Sequence, residues 1–231
     1  MGSGEYLPVM TGVEGLLLDG RADRYVQIPT AAAPEGEQRL QYWLDLGAAQ
    51  AERLGVRQIP VVARDRDEAD VPDIAARVEG AGLVYLSGGN PAYLAQTLRG
   101  TRLWQAVLDA WRSGSALAGC SAGAMALTGW VPSMRALDRE PDQGLGVLPH
   151  LRVLPHFDRM LGWAPDLLDR AVQGGPAGTT VIGIDEDTAL VDLTGAGQAW
   201  QVHGRQEAWT LADGSRVGHP AGMTVATPEG R

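Results

Sequence analysis

The chain has 231 residues, 19 basic and 28 acidic side chains, a net charge of −9 and a single cysteine. That length buries a full α/β core, the acidic balance argues against nucleic-acid and anionic-membrane partners, and one cysteine forms neither an intrachain disulfide nor a multi-cysteine zinc site. Every basic residue is arginine, and the lack of lysine removes P-loop phosphate binding, Schiff-base and pyridoxal chemistry, and a Ser-Lys dyad.

In chain order, Tyr25 to Ile28 reads as a strand, followed by a Pro/Ala/Gly loop and a helix from about Glu37 to Leu54 that Gly55 stops. Gln58 to Val62 reads as the next strand, and the charged run Arg64 to Asp70 as a solvated loop. Val71 to Glu79 is a short helix ended by Gly80, and Gly82 to Leu86 a buried strand. In Ser87-Gly88-Gly89-Asn90-Pro91 the last two residues fit an N-cap and a first-turn proline, opening a helix to Leu98; Thr101 caps another that reaches Trp111. An apolar run from Ser115 then leads into Gly119-Cys120-Ser121-Ala122-Gly123. After Val181-Ile-Gly-Ile-Asp185 the pattern turns to strands and tight turns: Ala189 to Asp192, Ala199 to His203 and Glu207 to Leu211, with Gly195-Ala-Gly197 and Asp213-Gly214 between them. The alternation predicts an α/β fold with a mostly parallel sheet covered by helices on both faces. Residues 190–231 are expected as an antiparallel β extension of the same single domain, 1–231.

Sites in such sheets lie beyond the carboxyl ends of the strands, where Ser87 to Asn90 and Gly119 to Gly123 both fall. The second segment has the form of a nucleophile elbow, a strand-to-helix turn that lifts a hydroxyl clear of the sheet. Its glycines bracket Ser121 symmetrically, whereas Cys120 points back toward the packed sheet, so Ser121 is the expected nucleophile. The Ala122 amide and one from Gly88 or Gly89 are the expected oxyanion donors. A serine nucleophile needs a base and a group to orient that base. Of the four histidines, His156 in Leu154-Pro-His-Phe157 stands at the end of a short β pattern and is the best base. Asp185, Glu186 and Asp187, just after a buried strand, offer the acid. Asn90 fits an N-cap better than a substrate ligand, and Arg135, Arg139, Arg152 and Arg159 are candidates by position to hold a substrate carboxylate. No signal peptide or membrane span is evident and the histidines lack zincin spacing, so a cytoplasmic protein without metal or other cofactor is expected.

Together these segments resemble the serine peptidase family of peptidase E (aspartyl dipeptidase) and cyanophycinase, built on the class I glutamine amidotransferase-like fold. The resemblance rests on Gly2-Ser-Gly-Glu5, Pro29-Thr-Ala31, Leu86-Ser-Gly-Gly-Asn90, Gly119-Cys-Ser-Ala-Gly123, Pro155-His-Phe157 and Gly183-Ile-Asp-Glu-Asp-Thr188, and spans about Gly2 to Leu190. It implies Ser121 as nucleophile, His156 as base and Glu186 as the orienting acid, with oxyanion donors near Gly88 and at Ala122. It also implies an exopeptidase acting on short peptides; by position and not by motif, Asn90 and Arg159 are the substrate-binding candidates, and a homodimer is left open. A cyanophycinase-like isopeptidase, a glutamine amidotransferase-like hydrolase and a catalytically silent binding or regulatory protein are the alternatives. The family carries an apolar strand ahead of the Gly-Ser-Gly-Glu segment, which here follows Met1: either the start is shortened or the strand is absent, and the integrity of the sheet is left open.

Overall fold

The protein's computed structural model describes residues 1–131, 142–160, 178–192, 194–195, 197–212 and 215–227. Four short strands, β1 (Arg24–Ile28), β2 (Arg57–Pro60), β3 (Leu83–Leu86) and β4 (Ala116–Gly119), pair in parallel in the order β2-β1-β3-β4. Parallel strands buried on both faces read as continuous apolar runs, and all four residues of β3 are buried. Alternate side chains divide between two cores. Tyr25, Leu83, Tyr85 and Ala118 face Met10, Val13 and Leu18 on the side of α1 (Thr11–Leu18) and α2 (Glu37–Leu54). Val26, Ile28, Val84 and Leu86 pack on the opposite side with α3 (Arg66–Ala69), α4 (Pro72–Ala76), α5 (Pro91–Leu98) and α6 (Arg102–Arg112). Each fully buried leucine in these layers contributes on the order of 2 kcal/mol.

The helix limits follow local chemistry. Gly55 closes α2 in the left-handed conformation (φ 68°), Asn90 Oδ1 accepts the Tyr93 amide at the start of α5, and Thr101 Oγ1 accepts that of Trp104 at the start of α6. The charged run expected as a loop instead contains α3, because Asp65 accepts the Glu68 amide as an N-cap and Arg64 pairs with both Glu37 and Glu68. The helix expected over Val71 to Glu79 is shorter, ending at Ala76.

The remainder adds β5 (Trp130–Val131), β6 (Asp142–Gln143), β7 (Leu151–Pro155), β8 (Thr180–Ile184), β9 (Thr188–Val191), β10 (Ala199–Gly204), β11 (Glu207–Ala212), β12 (Ser215–Pro220) and β13 (Thr224–Ala226). β7 and β8 run parallel and continue through antiparallel β11 and β12; β9, β10 and β13 form a separate antiparallel sheet. The expected C-terminal antiparallel region is therefore present, and it shares a sheet with the strand that leads to His156. The Asp213-Gly214 turn lies outside the described residues.

Met1 and Gly2 bridge the parallel sheet to β9. The Met1 nitrogen donates to Gly119 O (2.9 Å), Ser121 N donates to Met1 O (3.1 Å), and Gly2 N donates to Thr188 O (2.9 Å). Successive residues thus bond to opposite neighbours, as in a strand. Behind them lies a cavity of about 460 Å³ lined by Ala116, Ala118, Leu190 and Val191, among others. Among the described residues no helix is long and apolar enough to cross a membrane.

Candidate active site

The elbow follows from steric closeness. A Cβ on Gly119 would stand 2.5 Å from the Gly123 carbonyl carbon, and one on Gly123 would stand 2.2 Å from Leu86 O, so the turn folds against β3 only with glycine at both positions. Between them Ser121 takes φ 50° and ψ −111°, an unfavourable conformation for an L-residue, and α7 (Ala122–Ala126) begins at the next residue. Cys120 points the other way. It is fully buried, its thiol donates to Glu5 Oε2 at 3.2 Å, and burial pushes its pKa well up, which keeps it a neutral thiol.

Ser121 Oγ lies 3.0 Å from His156 Nε2, and His156 Nδ1 lies 3.0 Å from Glu186 Oε1. With the carboxylate accepting from Nδ1–H, Nε2 is left as the acceptor for the serine proton. His156 follows β7 directly with φ 53°, and the next residue, Phe157, anchors the turn by packing its ring against Gly183 of β8. Glu186 follows β8, and its neighbours diverge from it. Asp185 is buried and accepts from Trp209 Nε1 at 3.1 Å, and burial raises its pKa; Asp187 lies 3.7 Å from Arg205. Side chains from three strand ends, remote in sequence, thus converge in the order hydroxyl, imidazole, carboxylate.

A model of peptidase family S51 matches residues 3–196. The chain belongs to peptidase family S51. This is the serine peptidase family of peptidase E and cyanophycinase. The chain is 31% identical over 147 residues to the cyanophycinase of Synechococcus elongatus, covering 60% of this chain and 45% of that protein. With the cyanophycinase of Trichormus variabilis the identity is 29% over 189 residues, covering 74% and 58%. The chain thus spans about half the length of these curated relatives. Among solved structures, a peptidase from an acI-B1 Actinobacterium superposes with a TM-score of 0.89 at 40% identity, covering 98% of this chain and 94% of that one. A putative peptidase E protein from Listeria monocytogenes EGD-e shares the fold, with a TM-score of 0.55 at 17% identity over 95% and 96% of the two chains.

The other site residues expected in this S51 chain are placed as follows. Gly88 lies against the elbow, since a Cβ there would stand 3.4 Å from Ser121 Cβ, and Gly89 turns the loop away at φ 137°. The Ala122 amide opens α7. Asn90 Oδ1 is engaged as the α5 cap. Arg159, in α8 (Phe157–Met160), is largely exposed and donates from Nε to Glu186 Oε2 at 3.2 Å. Arg152 is buried with its guanidinium over the Trp130 ring, while Arg135 and Arg139 lie outside the described residues. His150 Nε2 is 2.8 Å from Gly197 O, and His203 and His219 lie on β10 and β12, each against a side chain of the C-terminal sheets.

Two contacts go beyond the motifs. Asp158 Oδ1 accepts the Glu186 amide (2.9 Å), and Gln206 Nε2 donates to Glu186 O (3.0 Å), so the backbone of Glu186 is held from both sides. An aspartate two residues past a histidine is the only sequence signal for the first, and it is too common a pattern to read alone. Among the described residues no group of three or more histidine, cysteine or acidic side chains is arranged to hold a metal ion.

Proposed function

We propose that the protein hydrolyses short peptides through an acyl-enzyme, with Ser121 as nucleophile, His156 as general base and Glu186 as the acid that orients the imidazole. The reading rests on one observation, the continuous chain of 3.0 Å contacts from Ser121 Oγ through both nitrogens of His156 to Glu186 Oε1. Ser121 Oγ attacks the scissile carbonyl as its proton passes to His156 Nε2, and Glu186 stabilises the imidazolium that forms. The Ala122 amide and those of the Gly88-Gly89 loop donate to the oxyanion. Collapse breaks the C–N bond, and Nε2 returns the proton to the leaving amine. Water, deprotonated by the same nitrogen, then releases the acyl group and regenerates the serine.

For the substrate we infer unblocked peptides of two to four residues, with the exposed guanidinium of Arg159 available to one substrate carboxylate. The identity with two cyanophycinases favours a second reading, an isopeptidase acting on β-linked Asp-Arg units. A mass-spectrometric screen of short peptides with free and blocked termini, run beside cyanophycin, separates the two. Cleavage of unblocked short peptides alone supports the first and release of β-Asp-Arg the second. Efficient internal cleavage of long chains with short peptides left intact contradicts both.

A further inference from the structure

The Gly2-Ser-Gly-Glu5 segment supplies none of the groups assigned above, yet with its neighbours it touches the elbow, the turn that carries Glu186 and the Ser87 to Gly89 loop. Met1 bonds to Gly119 and Ser121 of the elbow, Gly2 N donates to Thr188 O, and Ser3 Oγ accepts the Asp187 amide at 3.3 Å beside the acid. The next two residues reach the oxyanion side. Glu5 is 8% exposed; its Oε2 accepts the Cys120 thiol behind the nucleophile, and its Oε1 occupies the space beside Gly88, 2.3 Å from where a Cβ would be. Tyr6 is fully buried, and its hydroxyl lies 2.6 Å from Ser87 Oγ, one residue before Gly88.

Tyr6 is itself rigidly held. It takes φ 61°, its ring packs 4.9 Å from Tyr85 and 6.0 Å from Trp43, and its carbonyl accepts from Arg53 Nη2 at 2.6 Å. An oxyanion donor is effective only when fixed to within roughly 0.5 Å of its working position. Ser87 and the two glycines after it follow the last residue of β3, and the glycines have no side chains with which to anchor themselves. Burial pushes the Tyr6 pKa well up, which keeps its hydroxyl a neutral hydrogen-bonding group.

We propose that Glu5 and Tyr6 are positioning residues for the oxyanion side of the site, Tyr6 tethering Ser87 and Glu5 bracing Gly88, so that the Ser87 to Gly89 loop keeps its place against the nucleophile elbow. The proposal rests on Ser121 being the nucleophile. Neither side chain is placed to touch the reacting atoms; both act through the loop.

The test compares Tyr6→Phe, Glu5→Gln and Glu5→Ala with the unmodified chain, in steady-state hydrolysis of a peptide from the screen and in the rate of labelling by a fluorophosphonate. Thermal melting is measured in parallel. Tyr6→Phe, which keeps the buried ring, lowers kcat about tenfold, changes KM less than about twofold and slows labelling by a similar factor, a fraction of the loss seen when a whole oxyanion donor is removed. Glu5→Ala costs at least as much, and Glu5→Gln, which keeps the shape and still accepts from the Cys120 thiol, restores kcat to within about threefold. A Tyr6→Phe protein with a lowered melting temperature and unchanged kcat overturns the proposal, as does a Glu5→Gln protein as impaired as Glu5→Ala. If Glu5→Ala fails to fold, Tyr6→Phe decides. Ser121→Ala, assayed beside them, separates the two failures: activity surviving in that variant removes the nucleophile assignment itself, whereas its loss with full activity in Tyr6→Phe removes only the positioning role.

Discussion

Replacing Glu186 by glutamine keeps the size of the side chain and removes the charge that faces His156 Nδ1 at 3.0 Å. At that separation an imidazolium and a carboxylate attract by about 5.5 kcal/mol at an effective dielectric of ~20. The side chains are 40% and 29% exposed, so solvent screening reduces this, and roughly half, about 3 kcal/mol, is a fair share to assign to the transition state. At about 1.4 kcal/mol per factor of ten, kcat falls roughly a hundredfold. KM stays nearly constant, because the charge pair forms only as the proton leaves Ser121. Asp185→Asn and Asp187→Asn, which alter groups facing Trp209 and Arg205, change kcat only a few-fold. Steady-state kinetics on a cleaved peptide, with circular dichroism to show that each variant is folded, provide the assay. Glutamine at 186 with full activity, or equal losses at all three positions, refutes the assignment of Glu186 as the orienting acid.

Cys120→Ala retains most of the activity, since the thiol is buried and neutral, and steady-state assay of the purified variant checks this. Gly123→Ala places a methyl 2.2 Å from Leu86 O and destabilises the protein by about 3 kcal/mol or more while abolishing turnover, read by urea denaturation and activity. Burial pushes the Glu14 carboxyl up to about 7, so between pH 4.5 and 7 the folded state holds a proton that the unfolded state has released. That raised pKa makes stability fall as pH rises through this window, by about 3 kcal/mol in all, and Glu14→Gln flattens the slope in urea denaturation measured from pH 5 to 8. An unchanged slope in that variant assigns the proton elsewhere.

What was legible in the sequence was what local chemistry determines. The α2 helix ends at Gly55 because glycine readily takes a left-handed φ, and the side chains of Asn90 and Thr101 cap the helices they precede. The elbow could be read because its bracketing glycines are required by backbone approach on either side of Ser121. The turn carrying Asp185, Glu186 and Asp187 could be placed at a strand end, while the choice among the three depended on family resemblance and, in the structure, on Glu186 alone reaching His156. Less legible were elements whose signal is tertiary. The α1 helix contains Gly12 and Gly15, poor helix formers, and is held by burial of Val13 and Leu18; the α3 helix lies within a charged run whose cap, Asp65, is one acidic residue among several. β12 is largely exposed and lacks an apolar stripe, so only its pairing with β11 marks it. The contacts of residues 1 to 6 span more than 80 positions to Ser87 and more than 180 to Thr188, and no local pattern announces them.

The most direct measurement is to treat the protein with a fluorophosphonate and locate the adduct by peptide mass spectrometry. Because only a serine activated by a neighbouring base reacts readily, the account predicts one adduct, on Ser121, abolished in Ser121→Ala, strongly slowed in His156→Ala and retained in Cys120→Ala. Absence of labelling in a folded protein, or an adduct at another residue that persists in Ser121→Ala, would contradict it.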